Sequence, residues 1–299
     1  MTGSGRTRLR SWSAAWSDVW GTLAPPCGYG ECVHAQNWRG RMRHRSGGIR
    51  MQGVRYCRAE CLELALVEVL GQARRVSRRA EITSHRIPLG LLLLSRQHIT
   101  AVQLRTALEA QRAAGGGKTG IEMKIGAWLQ HLGFVTEHQV TAALARQWSC
   151  PVLRTGARAI GASPFPPIPL LLLESFQMMP VEFVAPSGTL LMAFSEGIDY
   201  TVLYAVDQML GYRTEPCLVC PSTLQKGLQA RARHRESGEV VFDRVEDAGE
   251  CARIIASYTT KVGAAEIRLA RCGEHLWIRL KRLRQDVVTL VMRAPSSPQ

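Results

Sequence analysis

The most regular feature of the chain is a pair of stretches in which apolar residues recur every three or four positions, the spacing of an amphipathic helix. They are two copies of one 24-residue phrase, PLGLLLLSRQHITAVQLRTALEAQ (88–111) and KIGAWLQHLGFVTEHQVTAALARQ (124–147). In both copies a Thr-x-x-Gln segment, at 100–103 and 136–139, has the pattern of a capping box at the start of a helix. Each copy is therefore predicted to be a pair of helices, and the two pairs can bury their apolar faces on each other.

Shorter apolar runs outside the repeat predict further helices and strands. Residues 61–75, CLELALVEVLGQARR, have helical periodicity, and 249–290 are predicted to be a helix followed by two strands. Between the repeat and that segment, strand-like runs flank a helix that begins at Asp199 and ends before Gly211. The predicted order there is strand 178–184, strand 189–194, helix 199–210, strand 213–220 and a last helix from Pro221.

These elements predict an α+β chain with a small zinc-module-like N-terminal segment, a tandem helical-hairpin repeat and a small α/β sandwich. A chain of 299 residues is long enough for two or three domains with real cores. The predicted divisions are a basic, cysteine-containing module at 1–65, a helical linker at 66–86, the repeat at 87–150, the α/β subdomain at 151–235, and a partial following domain with the tail at 249–299.

The charge of the chain is concentrated near its N-terminus. Of the net +14, residues 1–86 contribute +9, from 15 arginines against 6 acidic residues. This basic arm has two interpretations: it contacts nucleic acid or anionic lipid, or residues 1–25 are a solvated extension. No apolar run reaches the roughly 18 residues that span a bilayer, and the N-terminus lacks the apolar core of a secretory signal. A cytoplasmic protein whose nine cysteines are reduced or metal-bound is therefore expected.

Two cysteine pairs near the N-terminus are candidate metal ligands. Four residues separate the cysteines of the first pair and three separate those of the second, and the second pair lies at the start of a predicted helix. One pair on a knuckle and one in the first turn of a helix resembles treble-clef-like zinc modules, in which four thiolates suit a tetrahedral ion. Structural zinc and unpaired reduced thiols both remain open, and His34 and His44 are alternative ligands. The four candidates are Cys27, Cys32, Cys57 and Cys61.

Other motifs offer less chemistry. Cys217-x-x-Cys220 falls on a predicted strand rather than at a helix N-terminus, so buried or half-buried thiols are predicted instead of a redox pair. GGGKTG at 115–120 lacks the first glycine of a phosphate-binding loop and follows a predicted helix, so it is interpreted as a flexible connection between the copies. No arrangement of nucleophile and base stands out, and the chain is predicted not to be an enzyme.

The tandem phrase and the segment after it resemble the N-terminal domain of type II secretion and type IV pilus assembly ATPases, the GspE/MshE N-terminal family. Its members repeat a motif of Arg-Leu-Gly, an apolar pair, Gly with Ile or Leu, spaced leucines and a closing Gln. The resemblance covers residues 87–230, and 252–282 are similar to the start of the next domain of those ATPases. Because residues past 285 leave no room for a nucleotide-hydrolysing domain, ATPase activity is not expected.

The resemblance implies a cyclic di-GMP site, because the tandem motif binds this ligand in several members. The implied contacts are backbone N–H groups near each glycine, apolar packing on the purines and a leading arginine, with one motif for each half of the ligand. Carried over to this chain, the ligand-binding candidates are Leu89, Gly90, Leu93, Leu94, Gln111, Lys124, Ile125, Gly126, Leu129, Gln130 and Gln147.

Three positions depart from the family pattern. The leading arginine is Pro88 in the first copy and Lys124 in the second, and the mid-motif glycine is Gln97 in the first copy. Proline has no donor and lysine lacks the bidentate fork of arginine, although Arg86 is a nearby substitute. A packed helical scaffold without a ligand is therefore the alternative interpretation of the repeat.

Together these features predict a non-catalytic adaptor or sensor with structural zinc, with cyclic di-GMP as a ligand, and with a secretion or pilus assembly protein or ATPase as partner. The alternative is a zinc-containing nucleic-acid-associated regulator that uses the basic N-terminal arm, although few aromatic residues are interleaved with its arginines. Binding that weakens steeply with salt favours the regulator, and ligand binding by the repeat with little salt dependence favours the sensor.

Overall fold

The computed structural model describes residues 26–34, 47–77, 86–115, 123–153, 168–233, 239–283 and 287–293. The chain divides into two units: the first combines residues up to 81 with residues from 238 onward, and the second runs from Ile82 to Ser237. Both units mix helices with strands, which confirms the predicted α+β class. None of the helices in the described ranges is long and apolar enough to cross a membrane.

The described residues form the following elements in chain order. They are β1 (Ile49–Met51), β2 (Val54–Tyr56), α1 (Ala59–Ser77), α2 (Leu89–Ser95), α3 (Ala101–Gly115), α4 (Ile125–His131), α5 (Glu137–Gln147), α6 (Leu170–Ser175), β3 (Met178–Val184), β4 (Thr189–Phe194), α7 (Tyr200–Leu210), β5 (Arg213–Leu218), α8 (Pro221–Arg233), β6 (Glu239–Phe242), α9 (Ala248–Val262), β7 (Glu266–Cys272), β8 (His275–Lys281) and β9 (Val287–Arg293).

The four helices of the repeat, α2 to α5, interlock. The first helix of each copy packs on the second helix of the other copy, α2 on α5 and α3 on α4. Thr136 N donates to Gln139 Oε1 (2.8 Å) and Gln139 N donates to Thr136 Oγ1 (3.3 Å), and the capping box of the first copy forms in the same way. The prediction of two helix pairs that bury their apolar faces on each other is confirmed. Their shared core is Leu93, Ile99, Ala107, Leu129, Val135, Val140 and Ala143.

The turn inside each hairpin contains a residue in the left-handed region. Gly133 has φ +72° after α4, and Gln97 has φ +56° at the matching position after α2. Glycine adopts this region freely, whereas other residues are destabilised there by roughly 1–2 kcal/mol. The fold therefore retains the turn of the motif although Gln97 replaces its glycine, at a local cost in stability.

The rest of the second unit is a three-stranded mixed sheet with helices beside it. The strand order is β3-β4-β5, in which β3 and β4 are antiparallel and β4 and β5 are parallel. Asp199 caps α7 by accepting from Thr201 N at 2.8 Å, and the helix ends at Gly211, which has φ +76°. The two predicted strands have the bounds of β3 and β4, so the small α/β arrangement is confirmed.

Glu137 connects the repeat to this α/β part. Its Oε1 accepts from Ser222 N (2.6 Å) and its Oε2 accepts from Ser222 Oγ (2.7 Å), at the first turn of α8. The carboxylate thus satisfies a backbone N–H at the start of α8 that the helix itself leaves unpaired. Local spacing places Glu137 only in the first turn of α5, and its partner 85 residues away is visible only in the fold.

Replacing Glu137 with alanine is expected to lower the free energy of unfolding by about 1–2 kcal/mol, because α8 loses its capping carboxylate. Urea denaturation followed by circular dichroism measures this change. Glu182→Ala removes an exposed carboxylate from β3 and is the control, with an expected change below about 0.5 kcal/mol. Equal losses in the two variants would show that the contact to Ser222 adds nothing to stability.

The first unit contains a six-stranded sheet in the order β2-β1-β7-β8-β9-β6. β1 pairs in parallel with β7, so that Met51 lies opposite Ile267. Helices α1 and α9 pack on each other, and one core mixes N-terminal residues such as Leu62 with C-terminal residues such as Ile255. The N-terminal and C-terminal segments therefore share one sheet and one core rather than forming two separate modules.

This arrangement differs from the predicted divisions. The modules predicted at 1–65 and 249–299 share one sheet and one core, and the boundary at 65 falls inside α1. β9 adds a third strand to the two strands predicted after α9. Periodicity places elements but not their distant partners, which is why these differences arise. The basic arm at 1–25, His44 and residues 116–120 of GGGKTG lie outside the described residues.

Candidate metal centre and candidate ligand site

The four N-terminal cysteines meet at one point of the first unit. Cys27 and Cys32 lie in the segment before the β1–β2 hairpin. Cys57 directly follows β2, and Cys61 lies in the first turn of α1. One pair thus precedes the hairpin and the other lies at the start of α1, and the treble-clef resemblance likewise implies one pair at a helix start.

The cluster has the dimensions of a tetrahedral zinc site. The Sγ–Sγ distances are 3.5 Å for Cys32–Cys57, 3.6 Å for Cys57–Cys61 and 3.6 Å for Cys61–Cys32, and Cys27 completes a group whose sulfurs all lie within 4.8 Å of one another. Zn–S bonds of about 2.3 Å give a tetrahedron with edges of about 3.8 Å. The four thiols therefore fit one zinc ion, and this group is complete without a histidine.

Without a cation, burial keeps two thiols of this cluster in their neutral form. Burial raises the pKa of the Cys57 thiol to about 11, and burial also raises the pKa of the Cys61 thiol above its usual range. A divalent ion supplies the positive charge that thiolates require. Four thiolates fill the tetrahedral shell and leave no open position for water or substrate, so zinc here would be structural rather than catalytic.

The candidate ligand residues of the tandem repeat divide into buried and accessible ones. Gly90, Gly126, Leu93 and Leu129 are buried, and the two leucines have 0% exposure. Their side chains form the core between the copies, out of reach of a molecule bound at the surface. The partly or fully exposed candidates are Leu89, Leu94, Gln111, Lys124, Ile125, Gln130 and Gln147.

The motif glycines allow the helices to approach closely. A Cβ atom at Gly90 would lie 2.7 Å from Leu104 Cδ1, and a Cβ atom at Gly126 would lie 3.1 Å from Val140 Cγ1. Leu104 and Val140 occupy the same place in the two copies, so the same contact occurs twice. Both glycines thus have a packing role that holds whether or not a ligand is bound.

Each closing glutamine holds the start of the other copy. Gln111 Nε2 donates to Met123 O at 2.9 Å, and Gln147 Nε2 donates to Ile87 O at 2.7 Å. Met123 and Ile87 each directly precede the first residue of a copy, so the two bonds are reciprocal between the copies. The repeated glutamine is visible in the sequence, but the acceptor that it reaches is not.

Both cationic side chains near the first motif positions already have partners. Lys124 Nζ lies 2.6 Å from Glu196 Oε2, with both side chains largely exposed. Arg86 Cζ lies 3.2 Å from the centre of the Trp148 ring, a cation–π contact. A phosphate at Lys124 would compete with the carboxylate of Glu196, and Arg86 is held on the aromatic ring.

Cys217 and Cys220 are free thiols, as predicted. Cys217 is buried on β5 with its Sγ 3.6 Å from Met192 O, and burial raises its pKa to about 12. Cys220 is half-buried, and Thr141 Oγ1 lies 3.7 Å from its Sγ. The raised pKa of Cys217 is the opposite of the lowered thiol pKa that a reactive redox pair requires.

Comparison with known proteins finds similar solved structures for about half of the chain. No model of a protein family matches the chain, and no curated protein sequence matches it. A structure of MshE with cdg is 26% identical over 48% of this chain and 99% of that chain, with a TM-score of 0.38. One structure of the N-terminal domain of XpsE is 21% identical over 47% of this chain and 91% of that chain, with a TM-score of 0.35. A second structure of the same domain is 23% identical over 46% of this chain and 89% of that chain, with a TM-score of 0.27. The chain is thus similar to structures from the GspE/MshE N-terminal domain family, which the tandem phrase resembles.

Proposed function

We propose that the second unit acts as a non-catalytic adaptor or sensor of the GspE/MshE N-terminal type. The observation that carries this proposal is the interlocked repeat, in which the closing glutamine of each copy binds the start of the other. Two matching halves suit a ligand or a partner that itself has two similar halves. The proposed partner is a secretion or pilus assembly protein, or an ATPase of that machinery.

The ligand proposed for the repeat is cyclic di-GMP, a molecule with two identical halves. Leu89 and Ile125 occupy the same place in the two copies and are both partly exposed, so they offer apolar surface to a purine. Lys124 is exposed and offers a positive charge to a phosphate. Its ion pair with Glu196 lies at the surface and contributes little to stability, so the ammonium can exchange one anionic partner for another.

Calorimetric titration of the full chain with cyclic di-GMP tests this proposal. Replacing Lys124 with alanine is expected to weaken binding about tenfold or more, because a charge-assisted contact to phosphate is lost. Glu196→Ala is expected to keep or tighten binding, because it frees the same ammonium group from its competing carboxylate. Opposite effects of these two variants are the signature of a phosphate at Lys124.

The matched control is Lys226→Ala, which removes an exposed lysine from α8 and should leave the affinity unchanged. Equal weakening by Lys124→Ala and Lys226→Ala would indicate attraction by net charge alone and would contradict a site at the repeat. The absence of any binding heat at saturating ligand would leave the repeat as a scaffold for a protein partner.

A structural zinc ion is proposed for the first unit. The support is that the three sulfur separations among Cys32, Cys57 and Cys61 are close to the edge of a ZnS₄ tetrahedron, with the Cys27 sulfur within 4.8 Å of each. The ion would hold the knuckle that carries Cys27 and Cys32 against the start of α1. Short segments with few apolar residues commonly obtain their folding free energy from such an ion.

A further inference from the structure

A pocket of about 380 Å³ lies between the two copies of the repeat. One wall is the end of α2 with the turn that follows it, and the other wall is the middle of α5. The volume lies within the range of small-molecule sites, about 300–1,000 Å³. The pocket lining, called here the arginine pocket, is Leu92, Ser95, Arg96, His98, Ala142, Ala143 and Arg146.

The arginine pocket has two permanent positive charges and no carboxylate in its lining. Arg96 comes from the first copy and Arg146 from the second, and both are exposed. Among the described residues, no acidic side chain forms an ion pair with either guanidinium. Guanidinium groups bind carboxylate and phosphate oxygens through paired N–H donors, so the two arginines of this pocket can bind an anion.

His98 adds a hydrogen-bond donor to the same lining. Gln139 Oε1 accepts from Thr136 N at 2.8 Å, which orients the amide so that its Nε2 lies 3.3 Å from His98 Nδ1. An amide nitrogen only donates, so His98 Nδ1 is the acceptor of this contact and Nε2 is the ring nitrogen that carries a proton. The capping box of α5 thereby sets the tautomer in which His98 Nε2 is a hydrogen-bond donor.

The two arginines of the pocket lining are absent from the equivalent positions in the repeat. Moving each lining residue by the 36-residue offset of the repeat gives the matching positions of the other half. Arg96 corresponds there to Leu132, and Arg146 corresponds to Ala110, so neither arginine has a charged counterpart. The full matching set is Trp128, His131, Leu132, Phe134, Thr106, Ala107 and Ala110. Packing of the repeat therefore does not require these arginines.

We propose that the arginine pocket binds one small oxyanion, the phosphate or carboxylate group of a metabolite. The guanidinium groups of Arg96 and Arg146 would hold the oxygens, His98 would donate from Nε2, and Leu92 with the two alanines would contact the apolar part. None of the seven lining residues belongs to the cyclic di-GMP candidates. The pocket is therefore independent of the proposed function of the tandem motif.

Titration of the full chain with pyrophosphate, and separately with succinate, at constant ionic strength tests this proposal. Saturable binding of one anion per chain is expected, and Arg96→Ala and Arg146→Ala are each expected to weaken it about tenfold or more. Arg96→Lys keeps the charge but loses the paired donors, so an intermediate loss is expected. Binding of pyrophosphate alone identifies a phosphate as the natural group, and binding of succinate alone identifies a carboxylate.

The matched control is Arg105→Ala, which removes one exposed arginine from α3, outside the pocket lining, and is expected to bind like the unmodified chain. Because Arg96 and Arg146 are exposed, the melting temperature of each variant should stay within a few degrees of the original, which separates lost binding from lost folding. Equal weakening by Arg105→Ala, or no saturable binding of either anion up to about 10 mM, would overturn the proposal.

Discussion

Replacing Cys57 with serine is expected to release one zinc ion per chain and to unfold the first unit at temperatures where the unmodified chain stays folded. Cys57 is the sulfur that lies 3.5 Å from Cys32 and 3.6 Å from Cys61, so it contacts both halves of the cluster. Serine cannot supply a thiolate, and three remaining thiols do not complete the tetrahedron.

The effect should be large because a structural zinc ion of the proposed kind contributes to folding itself. Zinc binding reaches about 10 kcal/mol or more in zinc-finger peptides, whereas a whole domain is typically stable by about 5–15 kcal/mol. The loss should also reach the C-terminal strands, because Cys32 and Cys61 belong to the same core as Cys251 and Ile267. Metal analysis by mass spectrometry, together with thermal unfolding followed by circular dichroism, measures both parts of the effect.

Cys150→Ser is the matched control, because it removes a half-buried thiol that lies outside the cluster. This variant should retain one zinc ion and unfold close to the temperature of the unmodified chain. The metal centre would be contradicted if the unmodified chain, purified under reducing conditions, contained no zinc and had the same melting temperature as Cys57→Ser. The thiols would then be reduced and unpaired, the other interpretation of their spacing.

Replacing Leu129 with alanine is expected to lower the free energy of unfolding of the second unit by about 2–5 kcal/mol. Its side chain has 0% exposure and lies in the core that the two copies share. Leu93 is its counterpart 36 residues earlier and is equally buried, so Leu93→Ala should cost a similar amount. Chemical denaturation followed by circular dichroism measures both values.

Leu91→Ala is the control, because Leu91 lies on the same helix as Leu93 but is 51% exposed. A change well below that of Leu93→Ala is expected for it. Losses below about 1 kcal/mol for both buried leucines would show that the copies do not share a packed core in solution. The result also bears on ligand binding, because affinity lost in these two variants would reflect unfolding rather than a missing contact.

Most of the features that the sequence predicted correctly depend on contacts between residues a few positions apart. The capping boxes depend on a threonine and a glutamine three residues apart, and α7 depends on Asp199 and Gly211 at its ends. Such contacts are local, so the sequence pattern records them directly. The spacing of the four cysteines makes them candidate ligands, and only the fold shows that their sulfurs lie within 4.8 Å of one another.

The candidate ligand site shows where sequence reasoning reached its limit. The resemblance makes both Leu89 and Leu93 ligand candidates. The fold shows that Leu89 is partly exposed and that Leu93 is buried in the core. The closing glutamines were identified as ligand candidates, and in the fold their amides bind backbone carbonyls of the opposite copy. A glutamine amide can bind either a ligand or a backbone carbonyl, and only the positions of its neighbours show which of the two it binds.

The duplicated motif, the helix caps and the candidate thiols are visible in the sequence alone, because each depends on short separations along the chain. The pairing of β1 with β7, where Gln52 Nε2 donates to Leu269 O across 217 residues, is visible only in the folded chain. The tertiary structure also decided that Arg96 and Arg146, from different copies, line one pocket. Contacts of this kind depend on the register and burial of the whole fold, and no local periodicity encodes them.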